Sequence, residues 1–205
     1  MNQIFESELQ KHLHQNKSGW IEVVCGSMFS GKTEELIRRV TRALIAKQSV
    51  KIFKPIVDVR YSKNEVVSHN KNTVDAFVIS ESIQILDLAK DCDVVGIDEA
   101  QFFDLELPNV CQELANHGKR VIIAGLDMDY KGIPFGAMPV LLSVAEFVTK
   151  VHAICLQCGG LAAYSHRLDS TNEETILLGE TDRYEPLCRN CFQHATLKNS
   201  ALHYQ

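Results

Sequence analysis

Short apolar runs alternate along the chain with segments whose apolar residues fall three or four positions apart. Trp20-Ile21-Glu22-Val23-Val24-Cys25 predicts a strand, and Glu34 to Ala46 predicts a helix with Leu36, Ile37, Val40, Leu44 and Ile45 available to one face. Gly26 to Gly31 breaks the pattern between them. Val50 to Phe53 predicts a second strand, whereas Lys54 to Asn72, with Pro55 and no sustained period, predicts a long loop of the kind that is usually functional. Thr73 to Ile79 predicts a strand, and Ser80 is placed to cap a helix running to Lys90. Val94 to Ile97 predicts a buried strand ending at Asp98-Glu99. Leu107 to His117 predicts a helix stopped by Gly118, and Arg120 to Gly125 another strand. A loop from Asp127 to Gly136, a short element from Ala137 to Leu142 and a last strand from Glu146 to Ile154 follow. Strands alternating with helices at this spacing define an α/β chain with a mostly parallel central sheet covered on both faces.

The first break carries chemistry. Gly26-Ser27-Met28-Phe29-Ser30-Gly31-Lys32-Thr33 matches G-x-x-x-x-G-K-[ST] and lies after a strand and before a helix, where a phosphate loop belongs. Glycines let backbone N–H groups converge on phosphate oxygens, and the helix start adds positive potential. Lys32 can reach the β and γ phosphates of a nucleoside triphosphate, and the Thr33 hydroxyl can coordinate Mg²⁺. Asp98, at the carboxyl end of an apolar strand, is the expected partner in the magnesium shell. Its neighbour Glu99 projects differently and is left for another role.

A phosphate loop does not say where the phosphoryl group goes. Transfer to an alcohol benefits from a carboxylate that accepts the hydroxyl proton, while a phosphate acceptor mainly needs arginines. Glu99 therefore favours a hydroxyl acceptor, with water in an ATPase as the other use of the same group. Arg60, in the long loop, is a candidate to close over the transferring group and stabilise its charge. Met28, Phe29, Phe102, Phe103, Tyr130 and Phe135 flank these segments and offer surfaces for a planar base or for the core.

Of seven cysteines, Cys25, Cys92 and Cys111 stand singly in apolar segments, and Cys155, Cys158, Cys188 and Cys191 form two C-x-x-C pairs. Two such knuckles suit one tetrahedral Zn²⁺, and four thiolates leave no open position, so the metal is expected to be structural. A redox dithiol is the alternative, though two such motifs close together would be redundant. Between the pairs, His166, Arg167 and Arg183 are outnumbered by Asp169, Glu173, Glu174, Glu180, Asp182 and Glu185, which disfavours a nucleic-acid ribbon. The chain's net charge of -5 points the same way. No apolar run reaches membrane-spanning length, and Met1 to Ser18 is polar, so a soluble, unexported, cytoplasmic protein without membrane or nucleic-acid partners is expected.

From Trp20 to Cys191 the sequence resembles the thymidine kinase family whose members carry a structural zinc. The similarity rests on the phosphate loop at 26–33, on Lys54-Pro55 through Asp58-Val59-Arg60-Tyr61-Ser62, and on Asp98-Glu99-Ala100-Gln101-Phe102-Phe103. It extends to Gly125-Leu126-Asp127 with Pro134-Phe135-Gly136, and to Tyr184 before Cys188. The resemblance implies catalytic roles for Glu99, Arg60 and Lys32, and nucleotide contacts from Gly26 to Thr33 and from Asp98 through Ala100 and Gln101. It also implies a thymidine site built from Met28, Asp58, Phe103, Leu126, Tyr130, Phe135 and Tyr184, with the base read by the main chain of Thr175, Ile176, Leu177, Leu178 and Gly179. ATP as co-substrate, Mg²⁺, a structural Zn²⁺, a homotetramer and feedback inhibition by thymidine triphosphate come with it. Two departures stand out: Gly179-Glu180 where relatives have two glycines, and Tyr130 where a Phe is expected.

The expected organisation is a polar extension over 1–18, a P-loop ATP-binding α/β domain over 19–151, a small zinc-binding substrate lid over 152–192 and a tail over 193–205 that lacks a pattern and reads as disordered. A nucleoside monophosphate kinase with a cysteine lid is the nearest competing enzyme, opposed by the scarcity of lid arginines. A nucleic-acid-dependent ATPase is the competitor from another class, opposed by length and by the absence of a basic stripe.

Overall fold

The computed structural model describes residues 18–56, 65–67, 73–168 and 183–202. Strands β1 (Trp20–Cys25), β2 (Val50–Pro55), β5 (Phe77–Ile79), β6 (Val94–Ile97), β7 (Arg120–Gly125) and β8 (Phe147–Lys150) form one sheet in the order β5-β2-β6-β7-β1-β8. Every pairing in it is parallel. A parallel sheet is buried on both faces, which is why β1, β6 and β7 are almost uninterrupted apolar runs. Along β7 the pleat sends Val121 and Ile123 to one core and Ile122 and Ala124 to the other.

Helix α1 (Lys32–Ile45) covers one face with Leu36, Ile37, Val40 and Ala43. Leu44 and Ile45, expected on that face, are exposed: Ala43 still meets the sheet in the last turn, while Leu44 lies at the margin of the buried face and Ile45 on the opposite side of the helix. Helices α2 (Gln84–Leu88), α3 (Leu107–Asn116) and α4 (Met138–Val144) cover the other face through Ile85, Leu107, Val110, Cys111, Leu114, Met138 and Leu141.

Several expected boundaries move. Part of the stretch anticipated as loop forms strand β3 (Glu65–Val67), paired antiparallel with β4 (Thr73–Asp75). The run Thr73 to Ile79 is therefore two strands in two sheets, parted at Ala76. Ser80 does not cap a helix to Lys90; its backbone N–H bonds Gln84 Oε1, and the helix is the single short segment α2. The run Glu146 to Ile154 is also divided, between β8 and β9 (Ala153–Ile154). Val151, whose N–H bonds Cys25 O at 2.8 Å, lies between them.

The remaining elements build a satellite around its own core: β9 pairs with β10 (Leu161–Ala162), and β11 (Tyr164–Arg167) with β12 (Tyr184–Leu187), both antiparallel. Ala153, Cys155, Ala162, Tyr164, Leu187 and Phe192 form that core. Helix α5 (Arg189–Leu202) follows β12 and continues well past His194, where the sequence offers no periodic pattern.

One polar cluster ties the α1 face together. Glu22, 4% exposed in β1, accepts from Trp20 Nε1 at 2.7 Å, Arg39 Nη1 at 2.8 Å and Arg120 Nε at 2.6 Å, while Arg39 also bonds Glu35 and Thr149. Burial raises the Glu22 pKa, but the Arg120, Trp20 and Arg39 donors outweigh it and hold the carboxyl below its ordinary 4.5. The stabilisation is thus complete above pH 4.5 and is lost as pH falls through the lower folded-state value. Glu22→Ala takes the carboxylate from Arg120 and leaves Arg39 with Glu35 alone, and is expected to cost ~3 kcal/mol in denaturant unfolding at pH 7. The deficit should shrink as the parent protein is acidified; a constant difference down to the acid transition rules the ion cluster out as its source.

Candidate active site

The phosphate loop leaves β1 at Gly26, whose φ of 150° and neighbouring Val151 carbonyl, 2.2 Å from where a Cβ would stand, admit only glycine. It ends at Gly31, φ 85°, directly before α1. Between them Phe29 also has a positive φ, 63°. Lys32 folds back over the loop and donates from Nζ to Ser27 O at 2.8 Å. Burial lowers the Lys32 pKa, and Glu99, Asp98, Asp127 and Glu34 oppose that shift. A further anion in the loop would favour its ammonium form.

Asp98 follows β6, and its carboxylate oxygens accept from Thr33 Oγ1 at 3.3 and 3.4 Å. The hydroxyl and carboxylate expected to share an ion are therefore adjacent. An octahedral Mg²⁺ with ~2.1 Å bonds places neighbouring ligand oxygens about 3 Å apart, so the pair fits with a small adjustment. Glu99 adopts φ 52°, a conformation that costs a non-glycine residue energy and recurs at functional positions. Its backbone N–H bonds Asp98 Oδ1 at 3.0 Å, so one peptide turns the two carboxylates in different directions.

Gln101 holds Glu99 in place. It is 3% exposed; its Nε2 donates to Glu99 Oε2 and its Oε1 accepts from Leu126 N–H at 2.9 Å. The carboxamide thus links the Glu99 side chain to the end of β7, a role the sequence did not disclose. Gly136 closes the same contact, since a Cβ there would lie 2.3 Å from Gln101 O. Ala100 is fully buried in the sheet core. Phe103, 7% exposed, packs within the same core. Phe102 meets Phe135 edge to face at 5.6 Å.

Tyr130 and Tyr184 are brought together by Arg167, which the sequence showed only as one of a few basic residues. Its guanidinium lies 3.6 Å from the Tyr130 ring centroid, and Nη2 donates to Tyr184 OH at 3.1 Å across the β11–β12 ladder. The aromatic ring at position 130 is thereby used as a cation–π surface. The available signal was Tyr-Ser-His-Arg, a run with two basic residues that forms a wholly buried strand. Asp127 was likewise missed as a charge partner: buried after β7, it pairs with Lys150 through Oδ2. Asp58, Arg60 and Thr175 to Gly179 lie outside the described residues.

The four paired cysteines converge. Their Sγ atoms all lie within 4.8 Å of one another, and Cys158 and Cys188 are 3.7 Å apart. A tetrahedral Zn²⁺ with Zn–S bonds of ~2.3 Å separates its sulfurs by about 3.8 Å, while a disulfide would need ~2.05 Å. The cluster therefore fits zinc and not a bridge. Cys155 N–H to Gly160 O and Gly159 N–H to Cys155 O close the first knuckle; Cys191 N–H donates to Cys188 Sγ at 3.5 Å in the second. Burial acts against ionisation of Cys155, but backbone N–H donors from Cys188, Cys158 and Gln157 overcome it and bring the thiol to about 6. Such donors favour the thiolate that a metal requires.

A parallel sheet with a phosphate loop after β1, an Asp-Glu pair after β6 and an attached four-cysteine module defines a P-loop nucleotide-dependent kinase fold. The thymidine kinase family profile matches residues 19–192. The chain is 59% identical over 187 residues to a thymidine kinase of Bacteroides fragilis, covering 91% of this chain and 94% of that one. It is 60% identical over 181 residues to one from a Rhodothermus species, covering 88% and 84%, and 54% identical over 182 residues to one from Porphyromonas gingivalis, covering 89% of each. The chain belongs to the thymidine kinase family.

Proposed function

We propose that this chain transfers the γ-phosphoryl of ATP to the 5′-hydroxyl of thymidine, giving thymidine monophosphate for nucleotide salvage. The observation that carries the reading is Glu99. It is a carboxylate held by Gln101 at a strained backbone position, one residue from the Asp98–Thr33 contact, and it suits proton removal from an alcohol. Gly26 to Gly31 cradle the phosphates, and Lys32 swings from Ser27 O to the β and γ oxygens. Thr33 and Asp98 would hold Mg²⁺, which neutralises phosphate charge when bound. Glu99 accepts the 5′-hydroxyl proton as that oxygen meets the γ-phosphorus.

Arg60 and Asp58 are assigned to the transferring group and the sugar, and Thr175 to Gly179 to main-chain reading of the base. Met28, Leu126, Tyr130, Phe135 and Tyr184 are assigned to the thymine, with Phe103 supporting them from the core. Zinc on Cys155, Cys158, Cys188 and Cys191 would tie the turn between β9 and β10 to the junction of β12 with α5. Family membership supports a cytoplasmic homotetramer inhibited by thymidine triphosphate. No helix among the described residues is long and apolar enough to cross a membrane.

ADP release from ATP and Mg²⁺ is expected to rise with thymidine and to stay at background with thymidine monophosphate or single-stranded DNA. Stimulation by the monophosphate or by DNA in place of thymidine discards the proposal.

A further inference from the structure

The cysteine module touches the phosphate loop at its backbone. Met28 N–H donates to Ser165 Oγ at 2.9 Å, and Ser27 Oγ donates to Ala162 O at 3.5 Å. Ser165 is 5% exposed in β11, and Ala162 lies in β10, so both partners belong to the satellite that carries the cysteines. Phe29 packs against the satellite core formed by Cys155, Tyr164, Leu187 and Phe192. That packing matters because Phe29 sits at φ 63°, a conformation a bulky aromatic keeps only when its surroundings hold it. On the loop's other side, Val151 O closes on Gly26. Residues 26–29 are thus held from outside the loop by Val151, Ala162 and Ser165, beside the loop's own Ser30 and Lys32 contacts to Ser27 O.

We propose that Ser165 is a positioning residue for the phosphate loop. Its hydroxyl fixes the Met28 peptide and so aims the neighbouring loop N–H groups at the phosphates of ATP, which makes the cysteine module part of the nucleotide site as well as the nucleoside site. The inference rests on the loop being the ATP site. Backbone anion sites gain affinity from being formed before the ligand arrives, and any fraction of loops in another shape lowers apparent affinity in proportion. The net worth of one such hydrogen bond corresponds to roughly a three- to tenfold change in an equilibrium constant.

The test uses the full zinc-loaded chain, Ser165→Ala and Ser165→Thr. Binding of a fluorescent ATP analogue is titrated without thymidine, zinc content is read with a chromophoric chelator, and KM for thymidine is measured separately. Ser165→Ala is expected to bind the analogue about three- to tenfold more weakly with unchanged zinc, and any rise in thymidine KM, transmitted through Met28, should be smaller than that loss. Ser165→Thr, which restores the hydroxyl, should recover most of the loss. Analogue binding at parental strength in Ser165→Ala, a thymidine KM that rises more than the analogue affinity falls, loss of zinc, or no recovery in Ser165→Thr each overturns the proposal. A parent chain that does not bind the analogue at all overturns instead the assignment of the loop to ATP.

Discussion

Glu99→Gln is expected to bind ATP as the parent does and to transfer phosphoryl about 10²–10⁴-fold more slowly, the range that general-base assistance contributes. The substitution is nearly isosteric, and a glutamine oxygen can still accept from Gln101 Nε2, so the segment behind it keeps its shape. The Asp98–Thr33 contact and the Lys32–Ser27 contact do not involve the Glu99 side chain, and bound phosphates replace its charge in favouring the Lys32 ammonium, so the nucleotide cradle is kept. What disappears is a group able to take a proton from the attacking oxygen. The measurement is kcat for thymidine at saturating ATP beside equilibrium binding of an ATP analogue. Undiminished kcat removes Glu99 from the reaction, and a parallel loss of nucleotide binding turns it into a phosphate-site residue.

Cys188→Ser is expected to abolish stoichiometric zinc binding and to raise KM for thymidine by more than about tenfold. Structural zinc in small cysteine modules contributes an apparent ~10–16 kcal/mol to their folding, far more than the satellite's six-residue core can replace. Cys188 directly follows β12, which carries Tyr184, and among the described residues β12 is the strand paired with β11, which carries Arg167. Loss of the ion frees both strands and with them the Arg167 contacts to Tyr130 and Tyr184. Metal content and thymidine KM are measured on the same preparation. Undisturbed thymidine affinity in zinc-free protein breaks the link between metal and nucleoside.

The parts legible in the sequence were those governed by short-range patterns. β1, β6 and β7 read clearly because burial on both faces leaves them nearly all apolar, and the phosphate loop and cysteine knuckles read clearly because their geometry demands fixed spacing. Ala76 and Val151 were invisible as breaks, since strand preference is the same on both sides of each while the sheet that receives the strand changes. The helical run past His194 was missed for want of an apolar stripe. The bridging role of Gln101, the contacts of Ser165 and Arg167, and the Asp127–Lys150 pair were missed for a different reason. Each acts through a partner distant in the chain, such as Ser165 with Met28 or Gln101 with Leu126, and no local period encodes such a pairing.

The strand order has a consequence for how the chain acquires its nucleotide site. Among the described residues the strands that β1 pairs with are β7 and β8, with Val23 opposite Ile123 and Val148. During synthesis the strand that launches the phosphate loop must therefore wait, unpaired and strongly apolar, until most of the sheet has left the ribosome. Closing so long a loop carries an entropic cost, and pairing of the strand beneath the glycine turn has to follow the emergence of β7. A nascent chain stopped before Val121 holds the whole glycine turn but has no neighbour on which to build it.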